Sequence, residues 1–303
     1  MKYLLNLIIM LNAGCVMAGS PPKQKVTFHV TDVETSKVLT NATVTVFNDT
    51  WETKKVDLNG FCTFTGKGIS FGWKGTGKHV GYYDDMSGVT YKKLNKILNR
   101  WEPWNATVEI KLRPIKNPVP MVHKRIESLK IPVWNKLIGF DLELGDWVAP
   151  YGKGKKTDLF VNMHRRFVNS SDYDAIGKIS FPNKEDGIQL YKIQKKYDKS
   201  VFKFPYIAPT NGYQNILTLE RHATLRKTIC SFDPKKDLYI FRIRTQIDKK
   251  GNITSACYGR ITKRIEIAWG DVFDFEYLFN TNSTSRSLEW IGNVPHDQQK
   301  NYK

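Results

Sequence analysis

From Val26 onward the chain alternates. Val26, Phe28 and Val30 fall on one side of an extended backbone, while Thr27, His29 and Thr31 fall on the other. A period of two puts every second side chain on one face, so such a run is a half-buried strand rather than a helix. The pattern recurs. Ala42, Val44 and Val46 alternate with Thr43 and Thr45, and Val108, Ile110 and Leu112 alternate with Glu109, Lys111 and Arg113. Farther along, Ile138, Phe140, Leu142 and Leu144 alternate with Gly139, Asp141 and Glu143. Tyr239, Phe241 and Ile243 oppose Ile240, Arg242 and Arg244, and Phe273, Phe275, Tyr277 and Phe279 close the series. With 41% hydrophobic residues in 303, there is enough apolar mass for a packed core, which excludes disorder as the main state. The expectation is a mainly β chain of two antiparallel β-sandwich-like domains with few short helices.

The boundaries are readable. Met1-Lys2 followed by the apolar run Tyr3–Leu11 and the small residues before Gly19 has the layout of a secretory signal peptide over residues 1–18. Its apolar stretch is too short for a stable membrane span, and no transmembrane helix is expected in the mature chain. Leu11-Asn12-Ala13-Gly14-Cys15 resembles a bacterial lipoprotein signal, with Cys15 as the residue that would be lipidated, although Asn12 stands where an aliphatic residue is usual. A first β-sandwich is expected over 19–114. A connector follows over 115–132, with prolines at 114, 118 and 120 enforcing an extended chain. A second β-rich domain is expected over 133–303.

Cys62, Cys230 and Cys257 lie beyond the signal segment. Cys230 and Cys257 are the pair expected to be able to bridge neighbouring strands, leaving Cys62 as a buried apolar residue.

The run Val30-Thr31-Asp32-Val33-Glu34-Thr35, then Asn41–Val46, then Asp57-Leu58-Asn59-Gly60-Phe61, resembles the carboxypeptidase-regulatory-like (transthyretin-like) β-sandwich. That resemblance implies a non-catalytic accessory or adhesive module and carries over no functional residue. The ensemble Gly145-Asp146-Trp147 through Gly154, with Trp104-Asn105 and Pro118–Met121, resembles a family of exported bacterial proteins of uncharacterised function.

Chemistry is sparse. Asp141 and Glu143 are two apart on an expected strand and so share a face, at a spacing compatible with the carboxylate pair of a glycoside hydrolase. The competing reading is a solvated face. Gly72-Trp73-Lys74-Gly75-Thr76-Gly77-Lys78 fits the glycine and lysine spacing of a phosphate loop, but His79 replaces the Ser or Thr that would hold Mg²⁺, and a glycine-rich surface loop is the expected state. The six histidines show no metal-ligand spacing, so no metal and no cofactor is expected. Whether the chain is an enzyme is left open, leaning against it.

The dominant chemical signal is charge. A formal +18 creates a positive field that attracts polyanions. Lys192, Lys195, Lys196 and Lys199 interleave with Tyr191 and Tyr197, and Arg242 and Arg244 are expected to share a strand face. These six are the candidate polyanion ligands. Trp101, Trp104 and Trp147 are candidate platforms for sugar rings. No nucleic-acid motif is present. The sequence therefore reads as a secreted or envelope protein without catalysis, whose partner is an acidic glycan, an anionic envelope polymer or an anionic membrane surface. The alternatives are a polysaccharide-acting hydrolase using Asp141 and Glu143, or a structural or adhesion subunit of the cell surface.

Overall fold

A computed structural model of the chain describes residues 20–233, 237–263 and 265–302. The expected signal segment and Cys15 lie outside the described residues. The chain divides into two compact units, Met1–Val80 with Asp84–Arg113, and Gly81–Tyr83 with Pro114–Lys303. Both are built of strands, and the fold class is mainly β. The helices are short 3₁₀ turns, and among the described residues no helix is long and apolar enough to cross a membrane.

The strands up to residue 114 are β1 (Lys23–Asp32), β2 (Thr43–Asn48), β3 (Thr50–Lys55), β4 (Phe61–Lys67), β5 (Gly72–Lys78), β6 (Tyr82–Tyr83, in the second unit), β7 (Asp85–Thr90), β8 (Lys93–Asn95), β9 (Arg100–Glu102) and β10 (Ala106–Pro114). In the first unit β1 pairs antiparallel with β4 and parallel with β10, and the β8–β9 hairpin joins at the start of β1. A second sheet runs β3-β2-β5-β7. Val26, Phe28 and Val30 are fully buried, as are Val44 and Val46, so the alternation points inward as expected. Asp57 sets the turn into β4: its Oδ1 accepts the N–H groups of Asn59 and Phe61 at 2.9 and 2.8 Å, and Gly60 takes a φ of +80°.

The glycine-rich run 72–78 is not a surface loop. It is β5, whose glycines let the two sheets approach. A Cβ on Gly75 would stand 2.7 Å from the Phe28 ring, and one on Gly77 would stand 2.5 Å from Ile110. The spacing that mimics a phosphate loop is a packing requirement.

The second unit adds β11 (Val122–Lys130), β12 (Ile138–Asp141), β13 (Asp146–Trp147), β14 (Leu159–Asn169), β15 (Asp172–Ser180), β16 (Gly187–Lys192), β17 (Ile216–Thr224), β18 (Lys227–Cys230), β19 (Asp237–Ile247), β20 (Ile253–Ile261) and β21 (Val272–Asn280). One sheet runs β11-β21-β20-β19-β16 and the other β13-β12-β14-β15-β17-β18. Their pairings are antiparallel. Residues 122–130, expected as connector, thus form a strand paired with β21.

The core between the two sheets joins Phe140, Trp147, Val161 and Met163 to Phe241, Ile243, Phe275 and Tyr277. The sheet containing β19 is covered on its other face as well. There Ile240, Ala256 and Tyr258 pack with Phe202, Phe204 and Ala208 from the segment after β16, and with Leu288 and Val294 near the carboxyl end. Burial on both faces explains why β19 carries Tyr239 and Phe241 on one side and Ile240 on the other.

The bridge that the sequence left open between Cys230 and Cys257 does not form. Cys230 ends β18 in one sheet and Cys257 lies on β20 in the other, and both are free thiols, as is Cys62.

Candidate functional site

The candidate lysines lie on one segment of the second unit. Lys192 ends β16, Lys195 and Lys196 open a 3₁₀ turn, Lys195–Tyr197, and Lys199 follows it. All four are exposed. The segment is held by its aromatics. Tyr197 is buried, Phe202 and Phe204 are 0% and 2% exposed, and the Tyr191 hydroxyl donates to the Lys203 carbonyl at 3.1 Å. Tyr191 also stacks on Phe204, and the Arg260 guanidinium sits 5.2 and 5.0 Å from the Phe202 and Phe204 rings. Apolar residues anchor one side while cations project from the other, so the lysines ride on a fixed strap. The Lys196 ammonium lies 4.7 Å from the Tyr197 ring. Lys192, Lys195 and Lys196 have no carboxylate within ion-pair distance among the described residues, and the single acid between 191 and 204 is Asp198.

The two candidate arginines do not join this strap, nor do they share a face. Arg242 is 7% exposed and donates through Nε and Nη2 to the Glu185 carbonyl and through Nη1 to that of Thr210. A register irregularity begins after Ile243, and Arg244 takes a φ of +56°, which breaks the alternation. Its guanidinium meets Asp158 through Nε and Nη2 at 2.8 and 3.0 Å, and Glu143 through Nη1 at 3.0 Å. Burial works against the charge, but Asp158 and then Glu143 more than offset it and push the pKa above its ordinary value. These arginines are committed to partners inside the protein.

The carboxylate pair is also placed differently from expectation. β12 ends at Asp141, so Glu143 sits in the following turn rather than on the same strand face. Asp141 is 3% exposed, and its carboxylate accepts four backbone N–H groups: Glu143 and Leu144 at 2.9 and 3.0 Å, and Lys155 and Lys156 at 2.9 and 3.1 Å. Burial alone would raise its pKa. The four donors outweigh burial and hold it below the ordinary value. Asp141 ties two loops together, and Glu143 faces Arg244.

Of the three candidate tryptophans, two are core residues. Trp101 is 8% exposed and donates its indole N–H to the Gly68 carbonyl at 2.9 Å. Trp147 is 2% exposed, packs against Phe140 and Phe273, and donates to the Lys130 carbonyl. Trp104 alone is partly exposed. It borders a shallow depression of about 290 Å³ with Lys23, Thr65 and Lys67, and the Arg100 guanidinium lies 5.1 Å from its ring.

Other buried charges gave no signal in the sequence. Asp158 and Asp186 are 2% and 4% exposed; burial raises the Asp186 pKa even though its oxygens accept the N–H groups of Arg244 and Thr245. Glu289 is 1% exposed and accepts the Tyr83 hydroxyl at 2.9 Å and the N–H groups of Lys116 and Asn117 at 3.0 and 2.6 Å. Each satisfies backbone or buried donors, and nothing in local sequence spacing marks them. Among the described residues, no group of three or more His, Cys, Asp or Glu is placed to hold a metal ion.

No family model matches the chain, and no curated protein does. Two solved structures are similar in part. One is a Bacteroides fragilis protein of unknown function described as membrane-associated, at 9% identity over 86% of this chain and 96% of that one, with a TM-score of 0.22. The other is BcpA, the major pilin subunit of Bacillus cereus, at 10% identity over 88% of this chain and 97% of that one, also with a TM-score of 0.22. At that level the similarity carries no argument about activity or partner, and no family membership is assigned.

Proposed function

We propose that this is a non-catalytic secreted or envelope protein that presents the Lys192–Lys199 strap to an acidic glycan or other surface polyanion. The observation that carries this reading is the strap itself. Four exposed ammonium groups project from a segment whose Tyr197, Phe202 and Phe204 are locked into the core. Holding the segment fixed lowers the ordering cost of engaging an extended polymer, and the overall +18 charge steers a polyanion toward it. The secreted or envelope setting rests on the amino-terminal sequence pattern. Arg242 and Arg244 are left out of this surface because their donors are already used.

Retention on immobilised dextran sulfate tests the reading. The triple variant Lys192→Glu, Lys195→Glu, Lys196→Glu should elute at markedly lower salt than the wild type, and the difference should shrink as ionic strength rises. Equal retention of the two proteins at low salt would remove the proposal.

A further inference from the structure

A separate surface of the first unit combines apolar and cationic side chains at loop tips. The β8–β9 turn is Lys96-Ile97-Leu98-Asn99, where turn chemistry would ordinarily call for small polar residues. Ile97 is 95% exposed and Leu98 49%. The loop between β4 and β5 carries Ile69 and Phe71, 81% and 69% exposed. Hydrogen bonds gather both loops around the start of β1. The Lys23 N–H donates to the Asn99 carbonyl at 2.8 Å, the Gly68 N–H donates to the Pro22 carbonyl at 3.0 Å, and the Asn99 side chain donates to the Ser20 carbonyl at 2.9 Å. Phe71 packs edge-on to Trp101 at 5.3 Å, which ties the first loop to β9.

The charge at this end is one-sided. Segments 20–25, 65–74 and 91–104 contain eight Lys or Arg and a single carboxylate, Glu102, which is bound to Arg100 at 2.9 Å. Lys67, Lys92, Lys93 and Lys96 are all exposed. Large exposed apolar side chains on segments that also carry exposed lysines match the two requirements of an interfacial anchor: burial among acyl chains, and attraction to anionic headgroups. The exposed aromatic pair Phe47 and Trp51 on the β2–β3 hairpin lacks that complement, since Asp49 and Glu52 flank it. We propose that the loop end of the first unit, with Ile69, Phe71, Ile97 and Leu98 set among Lys93 and Lys96, docks on an anionic lipid surface. This surface is distinct from the lysine strap of the second unit and does not depend on it.

Vesicle sedimentation of the full chain tests the proposal, using phosphatidylcholine with and without a third of phosphatidylglycerol. The wild type should bind the anionic vesicles at least about tenfold more tightly than the neutral ones. Ile69→Ser with Ile97→Ser, at the two most exposed positions, should weaken binding about tenfold, and Lys93→Glu with Lys96→Glu should do the same. The thermal midpoint should be unchanged in both variants. The Lys192, Lys195, Lys196 triple reversal should retain vesicle binding, which separates this proposal from the preceding one. Equal affinity of the wild type for neutral and anionic vesicles would overturn it. So would full binding by the isoleucine variant, because adsorption would then be electrostatic without insertion, and so would retention of the chain by acidic polysaccharide but not by vesicles.

Discussion

Arg244 grips Asp158 with two nitrogens, Nε at 2.8 Å from Oδ1 and Nη2 at 3.0 Å from Oδ2, and the Asp158 side chain is wholly shielded from solvent. A two-pronged guanidinium–carboxylate contact is the strong geometry for such a pair. It joins β19 of one sheet to the loop that leads into β14 of the other, both within the second unit.

Breaking this pair from one side should be costly. Arg244→Ala leaves the buried Asp158 without its counter-charge and should destabilise the protein by about 3–5 kcal/mol in urea unfolding at neutral pH. Glu143→Ala removes only the exposed partner and should cost no more than about 1 kcal/mol. Equal, small losses in both variants would show that the Asp158 contact contributes little.

Asp141 gives a pH-dependent prediction. Its folded-state pKa lies below the ordinary 3.8, so its contribution is complete above that value and is lost as pH falls through the folded value. Asp141→Asn should cost about 2–3 kcal/mol at pH 7, because an amide cannot accept all four N–H groups. The gap between variant and wild type should narrow below pH 3.8. A gap that stays constant on acidification would contradict the assignment.

The first unit depends on the bare backbone of β5. Gly75→Ala pushes a methyl against Phe28 and should cost about 1–3 kcal/mol. Hydrogen exchange would locate the effect. Amides of β1 and β5 should lose protection while those of β19 keep theirs, and unchanged protection in β1 would show that the sheets can separate freely at that point.

Thiol chemistry separates the cysteines. Burial pushes the Cys62 thiol up to about 11 and also raises that of Cys257, while Cys230 is partly exposed at the end of β18. In a Cys15→Ser background, one thiol should react rapidly with a disulfide reagent in the native protein, and the remaining two only after denaturation. Cys230→Ser should abolish the fast phase. A fast phase that survives, or fewer than three thiols after denaturation, would contradict this arrangement.

Strands with one wet face were legible because their polar and apolar residues separate. Val26, Phe28 and Val30 are the clearest case, followed by the Asp57-to-Gly60 turn. β5 was not, because its glycines are selected by the facing Phe28 and Ile110, which lie far away in sequence. Alternation also misassigned Arg244, since one irregularity after Ile243 turns the chain. The roles of Asp141, Asp158 and Glu289 depend on donors brought in by other loops, and no local spacing encodes those. Trp101 and Trp147 look like platforms in sequence because an indole suits a sugar face and a core equally well, and only burial distinguishes the two. The lysine strap was visible in sequence as charge interleaved with aromatics. What the structure adds is the direction in which each set points.

The most direct test compares the strap with an equal change of charge elsewhere. Reversal of Lys192, Lys195 and Lys196 is set against reversal of the exposed Lys55, Lys111 and Lys178, giving two proteins of identical net charge. Dissociation constants for dextran sulfate are then measured at low ionic strength. The account predicts at least a tenfold loss for the strap variant and a much smaller loss for the other. Equal losses would mean that the protein's diffuse positive field, with no particular surface, accounts for binding.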